Sequence, residues 1–534
     1  MATYDEIISG RSRPAIPPLD LAGLAGGSAR AAPATGAAGA SLLARVGATL
    51  ADYVRDAGAD RDAPVAPAAA PADVEQAFSA AGAPLALAPG DPPLDDDGVL
   101  AAVQAALSVS VRTGHPRFFG QLYGRADPAA IAGDWLAAAA PAAVHTWEAN
   151  PVGAAAEAAL VARLADLAGG AYAESRHGLT LPGGSAANAA ALVAARHVAD
   201  PGARARGGAG GPRLQAFVSE GAHFSFDKAA ITMGLGTNNL VKVPTTPAGA
   251  MDPTALASAL VAAIADGARP FFVGATAGTT VLGAFDPLDA VAEIADAYGC
   301  WLHVDGAWGG AALLSGEHRY LLAGLHRADS FCVSPHKMLG VPLQCAVLVT
   351  RHEGVLGGAV GVGTGGGGYL YRSDRPHAAS DPGDAYAGCG RRADAVKAWL
   401  AWKAAGEGGL GAKVDAAVGL AAYAASSLAA RGDAFALAAP PSFANVCFWY
   451  VPRTHRPLRE REEGGLSGLE GVAPALRARV ARRGGPVVSA VPLPGRPGAP
   501  AAFRLVIANP TLVRTADVDA LLDAIAAAGE AEYR

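Results

Sequence analysis

Apolar positions along this chain recur with two different periods. Residues 41–57 (SLLARVGATLADYVRDA) place apolar side chains three and four apart, the spacing of one helix face, and predict an amphipathic helix. From about residue 178 the pattern changes to short apolar runs separated by longer helical ones. GLTL (178–181), RLQAFVSE (213–220), PFFVGAT (270–276), WLHVD (301–305), SFCVS (330–334) and CAVLVT (345–350) read as strands. An alanine-rich helix follows Pro182-Gly183-Gly184-Ser185. A second is capped by Asp252-Pro253 and ended by Gly267, and a third runs from Asp286-Pro287 to about Tyr298. Strands alternating with helices predict an α/β fold around a mainly parallel sheet. After residue 393 a helix (ADAVKAWLAWKAAG) leads into a smaller C-terminal domain with strands at NVCFWYV and AFRLVIANP and a last helix from about Thr515.

These patterns divide the chain into a disordered segment 1–40, rich in Ala, Gly and Pro, a helical arm 41–112 with a Pro/Ala linker at 58–72, a large domain 113–392 and a small domain 393–534. At 534 residues the chain can bury a large core, although much of its 51% hydrophobic content is alanine. A net charge of -6 gives no basic footprint for nucleic acid. The longest apolar stretch, Thr254 to Ala265, is too short to span a membrane. The five cysteines include no C-x-x-C pair, which argues against a disulfide framework or a structural zinc and fits a reducing compartment. No basic start precedes an apolar core, so a cytoplasmic protein is expected. An organelle transit peptide stays open, because residues 7–50 hold few acids and several Arg and Ser.

Several chemistry-bearing residues fall at predicted strand ends, where ligands bind in open α/β sheets. Lys337 lies in an apolar frame, SFCVSPHKMLGVPLQ; burial there would favour the neutral amine, which forms Schiff bases with aldehydes. Asp305, in HVDGAW, needs a partner if buried, and a protonated ring nitrogen would be one. Gly183-Gly184-Ser185 opens a helix and can receive phosphate. His223 could stack on a planar ring, and Arg504 interrupts an apolar strand as a candidate carboxylate ligand. Each has a plainer alternative: a turn lysine, a capping aspartate, an ordinary αβ turn, a core histidine, a structural ion pair. Together they compose a complete pyridoxal phosphate site. Gly361 to Gly366 matches G-x-G-x-x-G, but no helix is expected after it to receive a dinucleotide.

The chain resembles the pyridoxal-phosphate-dependent group II decarboxylases, in particular the branch of glutamate decarboxylase and cysteine sulfinate decarboxylase. The matching stretches include HPRFFGQL (115–122), LPGGSAANAAAL (181–192), ATAGTTVLGAFDPL (275–288), WLHVDGAWGGAALLS (301–315), ADSFCVSPHKMLGVPLQCAVLV (328–349) and FRLVIANP (503–510). The resemblance implies an aspartate-aminotransferase-like fold with a seven-stranded sheet. It implies a homodimer with shared active sites, acting on a small amino acid. Lys337 would carry the cofactor as a Schiff base, Asp305 would pair with the ring nitrogen, and His223 and Ala307 would lie on the two ring faces. Gly184, Ser185 and Ala186 would hold the phosphate, with Ser334 and His336 nearby and Thr279 against the cofactor. Gln121 and Arg504 would hold a substrate carboxylate.

The chain departs from the family at specific positions. His377 stands where the mobile loop usually has a proton-donating tyrosine, and it could replace that donor near neutral pH. Ser334 stands in place of Asn, Gly120 in place of Asn, and Tyr123 in place of the smaller Ser of glutamate decarboxylases. His145-Thr146-Trp147 replaces Phe-Thr-Tyr. The expected activity is decarboxylation of glutamate, aspartate or cysteine sulfinate to the amine and CO2. An aldehyde synthase, suggested by the missing loop tyrosine, and a weakly active cofactor-binding relative are the alternatives.

Overall fold

The computed structural model describes residues 37–533 apart from 68, 209, 363–367, 372–373, 459–465 and 509. Residues 1–36 of the segment expected to be disordered lie outside the described residues, as does part of the glycine run after 361. Residues 37–40 do not belong to a disordered tail: a helix begins at Ala37 and runs to Ala59.

By internal contacts the chain forms two units, Met1–Tyr53 with Glu75–Leu107, and Val54–Val74 with Ser108–Arg534. The first is helical in its described part, and Arg45 there pairs with Asp97 at 2.6 Å. Everything below concerns the second.

Its frame is a seven-stranded sheet of β1 (His177–Leu181), β2 (Leu214–Ser219), β3 (Leu240–Val243), β4 (Arg269–Thr276), β5 (Trp301–Gly306), β6 (Ser330–Val333) and β7 (Ala346–Thr350), in the order β1-β7-β6-β5-β4-β2-β3. From β6 to β3 all neighbours are parallel, whereas β7 runs antiparallel to both β1 and β6. Alternate residues enter different cores: Phe217, Val273 and Val304 belong to one, and Ala216, Val218 and Phe272 to the other. Burial on both faces explains why these strands read as continuous apolar runs.

Four helices matter for the site. Helix α1 (Pro151–Ala168) starts on Asn150, whose side chain accepts from Gly153 N, with Pro at the first helical position. Helix α2 (Gly184–Ala199) begins immediately after β1, and α3 (Ser225–Thr232) follows β2. Helix α4 (Asp394–Ala430) extends well past its expected end at Gly406, where φ of 66° breaks it into two runs. A carbon added at Gly133 would lie 2.8 Å from Lys397 Cα, so glycine allows the helix Pro128–Ala139 to approach α4.

A second, antiparallel sheet contains β8 (Phe435–Leu437), β9 (Asn445–Tyr450), β10 (Ser489–Val491) and β11 (Ala502–Val506) in the order β10-β11-β9-β8. Arg504 lies on β11 opposite Cys447 and Ser489. Among the described residues, no helix is long and apolar enough to cross a membrane.

Candidate functional site

The parallel strands end at a common level, because Thr276 on β4, Asp305 on β5 and Cys332 on β6 are in register. After β6 the chain turns through Ser334-Pro335-His336-Lys337, closed by Lys337 N donating to Ser334 O at 3.0 Å. This turn returns Lys337 toward the ends of β5 and β6. Burial lowers the pKa of its amine, an effect only partly opposed by the negative charge of Asp305. The shift brings the neutral, nucleophilic form within easier reach.

Asp305 is only 5% exposed. Its Oδ1 accepts from Ala307 N at 3.0 Å and its Oδ2 from Asn188 Nδ2 at 2.8 Å. Burial alone would raise its pKa, but the Lys337 charge and these two donors outweigh it and hold the carboxyl below its usual range. An anion aimed at a cationic partner is the form a protonated ring nitrogen requires.

Gly183, with φ of 98°, turns the chain from β1 into α2. The helix opens on Gly184 and Ser185, whose amides have no intrahelical acceptor. A carbon added at Gly184 would lie 2.9 Å from Ala307 Cβ and 3.3 Å from Ser334 Oγ. The αβ turn, the strand-end Ala307 and the hydroxyl of Ser334 therefore converge around Gly184. Among the described residues, Ser334 Oγ is buried without a hydrogen-bond partner. A helix N-terminus beside an uncommitted hydroxyl suits a phosphate, and the buried lysine and anionic aspartate suit the aldehyde and ring nitrogen of pyridoxal phosphate. The residues present fit that cofactor.

The remaining expected residues are placed as follows. His223 is half-buried, its Nδ1 accepts from Ser225 N at 3.2 Å, and burial lowers its pKa. The charges of Asp305 and Lys337 both act on it. Ala186 lies in the first turn of α2, its amide donating to Gly183 O at 3.1 Å. Thr279 Oγ1 accepts from Ala284 N at 3.0 Å, and its methyl lies 3.5 Å from the position of a carbon added at Gly221. His336 is buried, its Nδ1 accepts from Cys345 N at 3.1 Å, and burial pushes its pKa down to about 4.

On the substrate side, Arg504 is buried. Its Nη1 donates to Thr280 O at 2.9 Å and its Nη2 to Gly120 O at 3.0 Å, while its Nε is buried with no partner among the described residues. Arg504 thus ties the segment carrying Gln121 to the β4–β5 connection. Gln121 itself is exposed, and Tyr123 packs near Phe118 with ring centroids 6.3 Å apart. A carbon at Gly120 would lie 3.0 Å from Val487 Cγ1, which makes the loss of a side chain there a matter of space.

The ring of His377 meets that of Trp147 at 5.9 Å. His377 is exposed and has φ of 65°. Asp381 Oδ1 accepts from Trp147 N at 2.7 Å and Gly383 N donates to His145 O at 3.0 Å, so this part of the loop docks on the 145–147 segment. Two of the departures noted in the sequence, His377 and Trp147, therefore meet in space.

Two residues of the site were missed by sequence reasoning. Asn188 and His303 are both buried and stand behind Asp305. Asn188 is the polar residue in an alanine run one turn into α2. His303 is two residues from Asp305 on β5 and shares its face of the sheet. A separate cleft of about 700 Å³, lined by His197, Arg269, Trp301, Asp329 and Arg351 among others, lies at the opposite ends of these strands and holds none of the residues above.

The family model for the pyridoxal-dependent decarboxylase conserved domain matches residues 85–451. The chain is 40% identical over 434 residues to cysteine sulfinic acid decarboxylase of Rattus norvegicus, covering 81% of this chain and 86% of that one. It is 39% identical over 439 residues to acidic amino acid decarboxylase GADL1 of Homo sapiens, covering 82% and 81% of the two chains. The crystal structure of mouse CSAD in apo form superposes with a TM-score of 0.83 at 35% identity, covering 92% of this chain and 98% of that one.

Proposed function

Because the chain belongs to the pyridoxal-dependent decarboxylase family, we propose that it removes the α-carboxylate of an acidic L-amino acid, releasing CO2 and the corresponding amine. It is a pyridoxal-phosphate-dependent carboxy-lyase. The acidic substrate class is supported by the names of its relatives and by Arg504, a buried guanidinium whose Nε lacks a partner among the described residues. The observation that carries the reading is the convergence of Lys337, Asp305 and the Gly184 turn at the carboxyl ends of the strands.

The chemistry supplied by the cofactor when bound is an aldehyde and a ring able to accept an electron pair. In our assignment Lys337 Nζ, its pKa lowered by burial, is the amine that binds the aldehyde. Asp305 keeps the ring nitrogen protonated. His223 and Ala307 hold the ring from its two faces. The first amides of α2 and the Ser334 hydroxyl hold the phosphate, and Thr279 and His336 pack beside it. Gln121 and Arg504 orient the substrate carboxylate, and Tyr123 limits the depth of its pocket. Orientation decides which bond at Cα breaks, so this clamp is the main lever on the reaction.

We assign the proton returned to Cα to His377, acting across the interface of a homodimer. Its exposure in this chain supports a role in a partner's site.

The test is incubation of cofactor-loaded protein with cysteine sulfinate, aspartate, glutamate and aromatic amino acids, with CO2, amine, aldehyde and peroxide all measured. The proposal expects CO2 and amine in equal amounts from an acidic substrate. Turnover of aromatic amino acids alone, or aldehyde with peroxide as the main products, would refute it. In His377→Ala, an unchanged rate and an unchanged product ratio would remove His377 from the proton step.

A further inference from the structure

Behind Asp305 lies an unbroken series of buried hydrogen bonds. Trp301 Nε1 meets Ser330 Oγ at 2.9 Å, and Ser330 Oγ meets His303 Nδ1 at 2.8 Å. His303 Nε2 meets Asn188 Oδ1 at 3.0 Å, and Asn188 Nδ2 meets Asp305 Oδ2 at 2.8 Å. The second hydrogen of Asn188 Nδ2 goes to Ser225 Oγ at 2.9 Å. The direction of every bond follows from its neighbours. An indole N–H can only donate, and an ionised carboxylate can only accept. The amide of Asn188 must therefore turn its NH2 toward Asp305 and its oxygen toward His303. His303 then carries its proton on Nε2, its Nδ1 accepts from the Ser330 hydroxyl, and the Ser330 oxygen accepts from Trp301. All four donors point the same way, toward the carboxylate.

We propose that Asn188 and His303 are positioning residues that hold Asp305 as an oriented anion against the cofactor ring nitrogen. The inference rests on the assignment of Asp305 to that nitrogen. Head-to-tail hydrogen bonds in a low-dielectric interior polarise one another, so the chain as a whole favours negative charge at its end. Its surroundings keep it dry: the His303 ring is stacked on Phe272 at 6.1 Å and meets the edge of Phe226 at 6.3 Å. Burial pushes the pKa of His303 down to about 4, which agrees with the neutral tautomer the chain requires. Asn188 cannot be replaced by its acid without placing a second carboxylate beside Asp305.

The experiment uses the full chain loaded with pyridoxal phosphate labelled with 15N in the ring. Two readouts are taken, the dissociation constant of the cofactor and the 15N shift that reports protonation of the ring nitrogen. Asn188→Leu and His303→Phe keep volume and break the chain. Both are expected to weaken cofactor binding about tenfold or more, the size of a lost hydrogen bond to a charged group, and to move the 15N signal toward the unprotonated position. His303→Gln can donate to Asn188 and accept from Ser330, and is expected to restore both readouts toward those of the parent. Ser330→Ala removes one oxygen and is expected to change both in the same direction by less, which keeps the test open if a larger substitution fails to fold. Folded Asn188→Leu and His303→Phe, or Ser330→Ala alone, with both readouts unchanged would overturn the proposal. Asp305→Asn separates the two levels. If it leaves the 15N signal unmoved, the assignment of Asp305 itself fails. If it moves the signal while the other variants do not, the positioning role alone fails.

Discussion

Gly184→Ala adds a single carbon where the structure has no room for it. That carbon would lie 2.9 Å from Ala307 Cβ and 3.3 Å from Ser334 Oγ. Carbon atoms pack best at roughly 3.5–4.0 Å, so the contact with Ala307 is short by roughly 0.6–1.1 Å. Ala307 cannot relieve it by changing rotamer, because its Cβ moves only with the backbone. That backbone is fixed by Ala307 N donating to Asp305 Oδ1 and by the pairing of Gly306 with Val333. Overpacking of this kind costs about 1–3 kcal/mol. The displaced groups are those assigned to a ring face and to the phosphate, so the cost falls on the bound state. It corresponds to a dissociation constant for pyridoxal phosphate raised roughly 5- to 150-fold. The assay is titration of the apo-protein with the cofactor by absorbance, together with thermal melts of both forms. The cofactor-induced rise in Tm should shrink in step with affinity. Gly183→Ala is the control: φ there is 98° but no atom of the described residues lies within 4 Å of the added carbon, so it reports backbone strain without crowding. A Gly184→Ala protein that binds the cofactor within about twofold of the parent would refute this account of the turn.

Arg504→Lys replaces a fork that reaches Thr280 O and Gly120 O with one ammonium that cannot hold both. Steady-state kinetics should show substrate KM raised about tenfold or more with cofactor affinity unchanged, for the loss of a charged hydrogen bond. Arg391 and Glu157 form a buried ion pair that also engages Thr180 at the carboxyl end of β1. Glu157→Gln leaves the guanidinium without its anion, and denaturant unfolding should show a loss of about 3–5 kcal/mol. Asp286 is buried with Met251 N and Thr276 N both donating to it at 2.7 Å, and burial raises its pKa to about 6. Since the folded value exceeds the unfolded one, its contribution to stability is full at low pH and falls as pH rises from about 4 through about 6, by about 3 kcal/mol. Unfolding measured across that range should show this slope in the parent and its absence in Asp286→Asn.

The parts of the fold legible in the sequence were those whose burial leaves a pattern. Strands β1, β2, β4, β5, β6 and β7 are apolar on both faces and flanked by turn residues, so each stands out as a run. Strands β8 and β10 are three residues long, too short for any period to register, and the four-residue β3 is interrupted by Lys242. The reversal of β7 is invisible, because periodicity carries no direction. Gly406 reads as a helix end, and the chain instead resumes the helix after one residue of positive φ.

The site divides in the same way. Lys337, Asp305 and Gly184 are legible because strand-end position and residue type point to the same chemistry. Asn188 lies in an alanine run and His303 inside an apolar strand, and neither setting points to Asp305 until the fold brings them together. The partners of Arg504 are backbone carbonyls, which no side-chain pattern announces. His377 was expected at the site, and within this chain it lies against Trp147.

The central claim is that Lys337 is the residue that binds the cofactor, and it has a direct test. The protein is loaded with pyridoxal phosphate, the Schiff base is fixed by borohydride reduction, and the digest is mapped by mass spectrometry. The chain has six lysines, Lys228, Lys242, Lys337, Lys397, Lys403 and Lys413, so the result is selective. The account predicts one stoichiometric adduct on Lys337 and none in Lys337→Ala. An adduct on another lysine, or no adduct with cofactor in excess, would contradict it.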